Sequence, residues 1–196
     1  MSRSTQILKT MDSHIELIEA TRDLVGPIEK AIRITSLSLQ SGGCIFWAGN
    51  GGSMADALHM SAEIVVRFKR ERRALSSVAL GANASVLTAA SNDYGYETAM
   101  ARELQGLGKN GDVLIAISTS GKSKNIIAAA KAAKSLGIHV IAFTGQNGGE
   151  LGTLADVLIN VPSTETARIQ EAHSLIEHII CDHIEEESTS WQRNST

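Results

Sequence analysis

Residues 44–53 read Cys44-Ile45-Phe46-Trp47-Ala48-Gly49-Asn50-Gly51-Gly52-Ser53. An apolar run with no polar break is followed by a glycine-rich turn. Strands that are apolar throughout, rather than alternating, are buried on both faces, as in a parallel sheet. The same grammar recurs downstream at Ser77–Leu80, Val113–Ile117, His139–Thr144 and Val157–Val161. Helical segments lie between these runs, near Met54–Phe68, Ala84–Ala90, Glu97–Leu107, Lys124–Leu136 and Glu150–Leu154, and a last helix spans about Glu165–Glu187. The alternation predicts an α/β protein, a three-layer α/β/α sandwich around a five-stranded parallel sheet.

Upstream, Ile7, Leu8, Met11, Ile15 and Ile18 follow helical spacing and Leu17 sits off that stripe, so residues 5–23 predict an amphipathic helix. Gly26-Pro27 reads as its break, with a second helix from about Pro27 to Gln40 that stops at Gly42-Gly43. Residues 1–41 form an N-terminal helical layer in this reading, 42–187 the main domain, and Ser188–Thr196 a polar, frayed tail.

Composition narrows the function. The chain has 196 residues, 43% apolar and 20% charged, with a net charge of −3. That is a folded chain with no basic surplus for nucleic acid or anionic membranes. Aromatics are 4%, too few for stacking along single-stranded bases. No run reaches the roughly 18 apolar residues of a membrane span, and the N-terminus lacks a signal-peptide pattern. Two cysteines, Cys44 and Cys181, make no disulfide scaffold and read as buried small apolar residues. A cytoplasmic protein is the expectation.

Two strand-to-helix junctions share one chemistry: Ala48-Gly49-Asn50-Gly51-Gly52-Ser53, and Ser118-Thr119-Ser120-Gly121-Lys122-Ser123. In a parallel sheet both fall at the carboxyl ends of strands, where ligands bind. Glycine lets the backbone approach a ligand, and the N–H groups opening the next helix favour an anion. The hydroxyls of Ser118, Thr119, Ser120 and Ser123 can donate to phosphate oxygens, and Lys122 adds charge. A third loop, Thr144–Gly149, follows a later strand. There is no P-loop and no dinucleotide fingerprint, so a small phosphorylated metabolite suits these loops better than a nucleotide. The plainer reading is that such turns only punctuate the fold.

His59 and Glu63, four apart, share one helix face. On the last helix Gln170, Ser174 and Cys181 form a stripe with His178 at its edge, while Ile169, Ala172, Ile176, Ile179 and Ile180 point elsewhere. His59, Glu63, Gln170 and His178 have the chemistry of a zinc site. Glu63 and His178 could instead act as a base and acid pair. The plainer readings are a surface His–Glu pair and a structural histidine, and spacing does not choose His178 over His173. His14, His139 and His183 have no evident partner. Arg67–Arg73 is a basic run at a helix end, where a solvated cap is the simple account. Asp93, in the turn Asn92–Tyr96, can cap the next helix or meet a sugar hydroxyl.

Taken together, Gly49-Asn50-Gly51-Gly52-Ser53, Asp56-Ala57-Leu58-His59 with Glu63, Asn92-Asp93-Tyr94-Gly95, Gly111-Asp112-Val113-Leu114, Ser118-Thr119-Ser120-Gly121 and Arg168-Ile169-Gln170-Glu171 with His178 resemble the sugar isomerase (SIS) domain family. Within it they are similar to the phosphoheptose isomerases, from about Gly42 to Glu187 and more loosely over the N-terminal helices. The resemblance implies the SIS fold. It implies an aldose–ketose isomerase acting on D-sedoheptulose 7-phosphate to give D-glycero-D-manno-heptose 7-phosphate, the entry step to the heptose of lipopolysaccharide core. It also implies a homotetramer with sites between subunits and the N-terminal helices in the interface, and no nucleotide or redox cofactor.

Carried over residue by residue, Ser118, Thr119, Ser120 and Ser123 hold the phosphate, and Asn50, Gly51, Gly52, Ser53, Asn92, Asp93 and Gln170 line the sugar site. Glu63 is the base that moves the proton between C1 and C2. His178 serves ring opening and oxygen protonation. His59, Glu63, Gln170 and His178 match positions that bind zinc in some members, and a fully ligated Glu63 is a poorer base, so the two roles compete. The alternative is a non-catalytic SIS protein that binds the replication initiator. Such proteins share the glycine loop and the Arg168–Glu171 segment but typically lack the equivalents of Glu63 and His178.

Overall fold

The computed structural model describes residues 1–191. Helix α1 (Arg3–Ala20) passes through a 3₁₀ turn (Thr21–Leu24) into α2 (Val25–Gln40). Then come β1 (Ile45–Ala48), α3 (Gly52–Val65), β2 (Ser77–Ala79), α4 (Ala84–Tyr94), α5 (Tyr96–Leu107), β3 (Val113–Ile117), α6 (Lys124–Ser135), β4 (His139–Thr144), α7 (Gly149–Leu154), β5 (Val157–Asn160) and α8 (Thr166–Trp191).

The strands form one parallel sheet in the order β2-β1-β3-β4-β5. Each strand sends alternate residues to opposite faces, and both faces are covered. Trp47, Ile115, Ile141, Phe143 and Ile159 pack under α2, α3 and α8. Phe46, Ala48, Leu114, Ala116 and Ala142 pack under α5, α6 and α7. Burial of both sets is why these runs show no alternation in sequence. Asp112, fully buried, ties the opposite end of the sheet: its Oδ1 accepts from the Cys44 N–H at 2.9 Å and its Oδ2 from the Lys109 N–H at 2.8 Å. From β1 the chain crosses to one side of the sheet, and from β3 to the other. The crevice outside the carboxyl ends of those two neighbouring strands is therefore the topological switch point. The glycine loop and the serine loop both open there.

Several boundaries differ from expectation. The bend between α1 and α2 falls at Thr21–Leu24, where Thr21 is buried and its hydroxyl donates to the Ile18 carbonyl at 2.7 Å. Gly26-Pro27 lies in the first turn of α2, where a missing N–H costs nothing. On α1 the apolar stripe faces out, with Ile7, Leu8, Met11 and Ile15 exposed, and the off-stripe Leu17 is the residue buried in this chain. Helix α3 stops at Val65, three residues early, because Glu185 on α8 captures the next backbone. The Glu185 carboxylate accepts the N–H groups of Phe68, Lys69 and Arg70, each at 2.7 Å. The basic run is accordingly only in part a solvated cap, with Arg67 and Arg73 exposed. Arg72 is buried beside Glu185, and Lys69 and Arg70 pair with Asp182. The expected frayed tail is partly helix: α8 continues through Trp191 and buries Ser188, while residues 192–196 lie outside the described residues.

Candidate active site

The glycine loop is shaped by close approach. A Cβ on Gly49 would fall 2.3 Å from the Ser53 carbonyl oxygen, and Gly51 has φ +56°, so neither position admits a side chain without strain. Ser53 is buried in the first turn of α3. Gln170, in the second turn of α8, lies against this turn. A Cβ on Gly52 would come within 2.6 Å of Gln170 Nε2. Gly52 has no positive φ, so alanine fits the backbone and only the mobile end of Gln170 must move. Gly52→Ala is expected to leave the melting temperature within about 2 °C of wild type and to lower turnover roughly tenfold or more. Thermal unfolding and steady-state kinetics on one preparation check both halves.

The serine loop packs against the loop after β4. Gly121 has φ +64° and its Cβ would overlap the Gly148 carbonyl, so backbone meets backbone there. Ser118 is buried and donates through Oγ to Ser123 Oγ at 3.0 Å, and the Ser120 hydroxyl accepts from the Lys122 N–H at 3.2 Å. Ser123 precedes α6 without capping it through its side chain, which leaves the opening N–H groups of a 12-residue helix facing the loop. Thr119, Ser120 and Lys122 line a cleft of about 180 Å³ whose other wall includes Gly145, Gln146 and Asn147.

The acid–base candidates lie further along. His59 Nε2 and Glu63 Oε1 are 3.1 Å apart on α3. The His178 ring meets that of His59 edge-on, with centroids 5.0 Å apart, and Phe68 covers it at 5.4 Å. His178 Nδ1 donates to the Ser174 carbonyl at 2.8 Å, which places the ring proton on Nδ1 and leaves Nε2 as the acceptor in the neutral ring. Ser174 Oγ donates in turn to Asp56 Oδ1 at 2.9 Å. Burial raises the Asp56 carboxyl above its ordinary range, against the Ser174 hydrogen bond and the nearby His59 and His178 rings.

Structure therefore makes the choice that spacing left open. His173 is fully buried, donates from Nε2 to the Thr144 carbonyl at 3.1 Å and packs on Phe143. Burial lowers its pKa to about 4. It is a core histidine. On the same helix Cys181 joins the core beside Met60 rather than the polar stripe, and Ile179 is the exposed isoleucine. Cys44 is buried as read. His14 has a partner, Glu171 at 2.7 Å, and His183 lies 3.9 Å from Glu186. Asp93 does not cap α5. It sits in the last turn of α4, exposed, where the Asn92 side-chain amide donates to it at 2.8 Å, and the N-cap of α5 is Gly95.

The SIS domain family matches residues 10–145. A phosphoheptose isomerase of Akkermansia muciniphila is 43% identical over 182 residues, covering 93% of this chain and 94% of that protein. The chain belongs to the SIS-domain family. Solved structures of phosphoheptose isomerases agree. One from Neisseria gonorrhoeae has a TM-score of 0.88 at 39% identity, over 94% of this chain and all of that one. One from Francisella tularensis has a TM-score of 0.91 at 34% identity, over 95% of this chain and all of that one.

One chain of this SIS protein does not bring every candidate together. Counting 1.5 Å per helical residue, Glu63 lies about 16 Å along α3 from Gly52, and His178 about 12 Å along α8 from Gln170. His59, Glu63 and His178 thus form a cluster of their own, away from the glycine and serine loops. Exposed Leu58, Val65 and Ile179 lie on the same two helices, and exposed Val66 directly follows α3. Sequence reading did not single out Asp56, Phe68, Tyr96, Asn125 or Glu177 as site residues. Asp56 stood inside a quoted motif, and a carboxylate one turn before His59 was the signal for it. The others needed the tertiary structure.

Proposed function

We propose that this protein interconverts D-sedoheptulose 7-phosphate and D-glycero-D-manno-heptose 7-phosphate through an enediol. The observation that carries the chemistry is the His59–Glu63 pair set beside His178. With one Glu63 oxygen against His59, the other is left to take the C1 proton of the ketose and return it at C2. His178 Nε2 opens the ring and moves protons on the oxygens. The phosphate docks on Ser118, Thr119, Ser120 and Ser123 at the start of α6, far from C1, and its binding energy positions the reacting carbons. Asn50, Gly51, Gly52, Ser53, Asn92, Asp93 and Gln170 line the sugar.

A metal ion and a second subunit both bear on this site. Two imidazoles, a carboxylate and an amide oxygen are chemically suited to zinc, and His59, Glu63, Gln170 and His178 are the residues that would hold it. No three His, Cys, Asp or Glu groups among the described residues converge as a ligand set in the single chain, where His59 contacts Glu63. When bound, zinc would polarise the substrate carbonyl. The second of these concerns assembly. The distance between the acid–base cluster and the chain's own loops, together with the exposed Ile7, Leu8, Met11 and Ile15, supports a homotetramer whose sites are completed by a second subunit.

The test is turnover. Purified protein is expected to convert sedoheptulose 7-phosphate to aldoheptose phosphate, seen by mass-resolved chromatography, with fructose 6-phosphate turned over far more slowly. No product from either sugar, with or without added zinc, would overturn the proposal.

A further inference from the structure

The glycine loop and the serine loop are joined by a side-chain lock between Asn50, which lines the proposed sugar site, and Asn125, which has no place among the proposed phosphate or sugar contacts. Asn50 Nδ2 donates to Asn125 Oδ1 at 2.9 Å, and Asn125 Nδ2 donates back to Asn50 Oδ1 at 2.8 Å. This is a reciprocal amide pair between the loop after β1 and the second residue of α6. Two other groups close it. Tyr96, the first residue of α5, donates its hydroxyl to Asn50 Oδ1 at 2.7 Å, and Met100 Sδ accepts from Asn125 Nδ2 at 3.7 Å.

Counting donors and acceptors assigns the roles. An amide has two N–H donors and a carbonyl oxygen with two lone pairs. Both Asn125 donors are engaged, one by Asn50 and one by Met100. Asn125 is 4% exposed, so it has no donor left for a ligand, and the second lone pair of its oxygen is buried. Asn50 differs: its oxygen already accepts from Asn125 and Tyr96, while its amide nitrogen keeps one free N–H. Asn50 could therefore only donate to a sugar, and its partner there would be an acceptor oxygen.

We infer that Asn125, with Tyr96 in support, is a positioning residue that aims the free N–H of Asn50 and couples phosphate docking on α6 to the sugar loop. The inference rests on the isomerase reading for its kinetic consequence but not for its geometry. A phosphate that settles at the start of α6 fixes the helix turn carrying Asn125, and through the amide pair it fixes Asn50. A buried amide held at both ends is costly to turn, because rotation would set oxygen against oxygen.

The test has a kinetic and a ligand-free arm. Asn125→Ala is expected to lower kcat about tenfold or more while KM changes less than about threefold. The double variant Asn50→Ala/Asn125→Ala should be no slower than Asn50→Ala alone, since Asn125 acts through Asn50. Tyr96→Phe, which removes one oxygen from a half-exposed ring, should give a smaller fall in kcat and guards against misfolding of the alanine variant. In protein labelled with ¹⁵N-asparagine, the Asn50 side-chain amide should exchange slowly with solvent in the wild type and faster in both Asn125→Ala and Tyr96→Phe. Additive losses in the double variant, or equal exchange in wild type and variants, would overturn the inference. The exchange arm needs no substrate, so an inactive wild type would defeat the isomerase reading and still leave the lock decided.

Discussion

Glu63→Gln is expected to lower kcat by about 10²- to 10⁴-fold, the range for loss of a general base, with KM little changed. The substitution keeps the shape of the side chain and a hydrogen-bonding partner for His59, which now lies 3.1 Å away. It replaces only the carboxylate oxygen proposed to take the proton. Glu63 sits in the last turn of α3 with its side chain 20% exposed, and glutamine fills the same space. Because His59, Glu63 and His178 lie about two to three helical turns along α3 and α8 from Gly52 and Gln170, a second result should follow. Chains carrying Glu63→Gln, mixed under reversible dissociation with chains carrying Asn50→Ala, should regain part of the wild-type rate, since some sites then combine an intact acid–base cluster with an intact glycine loop. A Glu63→Gln enzyme within tenfold of wild type would remove Glu63 as the base. Normal loss with no rescue on mixing would place the whole site within one subunit.

How far the sequence carried this reading differs by element, and the reason is physical. Strands β3 and β4 have the bounds their apolar runs predict, Val113–Ile117 and His139–Thr144, because burial on both faces leaves no freedom in composition. Helix α1 shows the limit of periodicity. Ile7, Leu8, Met11 and Ile15 do share a face, but spacing says nothing of what covers it, and in the single chain it lies open while Leu17 packs inward. The end of α3 was illegible for a different reason. Glu185 sits in a run of exposed-looking acids, and only the fold places its carboxylate under the backbone of Phe68–Arg70, where three N–H groups hold its pKa below the ordinary range despite the cost of burial. Within the site, His59 and Glu63 were readable from their spacing on one helix. The choice of His178 over His173 depended on which of two neighbouring faces of α8 meets the sheet. Asn125 and Tyr96 act across 75 and 46 residues of sequence, a pairing no local pattern encodes.

Glu177→Gln is expected to stabilise the protein, and more at alkaline than at acid pH. Glu177 is fully buried on α8, and neither carboxylate oxygen has a hydrogen bond within the described residues. Burial, with the nearby Asp56 charge adding to it, raises its pKa well above the ordinary 4.5. The folded protein therefore holds a proton that the unfolded chain loses above about pH 4.5. The stability Glu177 contributes is fully present below that pH and declines as pH rises toward the folded pKa, by about 1.4 kcal/mol per pH unit. Glutamine does not titrate, so the variant loses this slope. At low pH the two proteins should be close, since a protonated glutamate and a glutamine leave similar polar groups unsatisfied in the core. His173, one turn earlier on α8, sets the opposite limb: its folded pKa of about 4 against an ordinary 6.5 makes stability fall as pH drops through that window. That acid limb should persist unchanged in Glu177→Gln. Urea unfolding near pH 5 and near pH 8, in chelator so that no bound metal enters the comparison, separates the two. A variant whose gain is the same at both pH values would mean that Glu177 is ionised inside the fold, and its buried charge would then require a counter-charge brought by a second subunit.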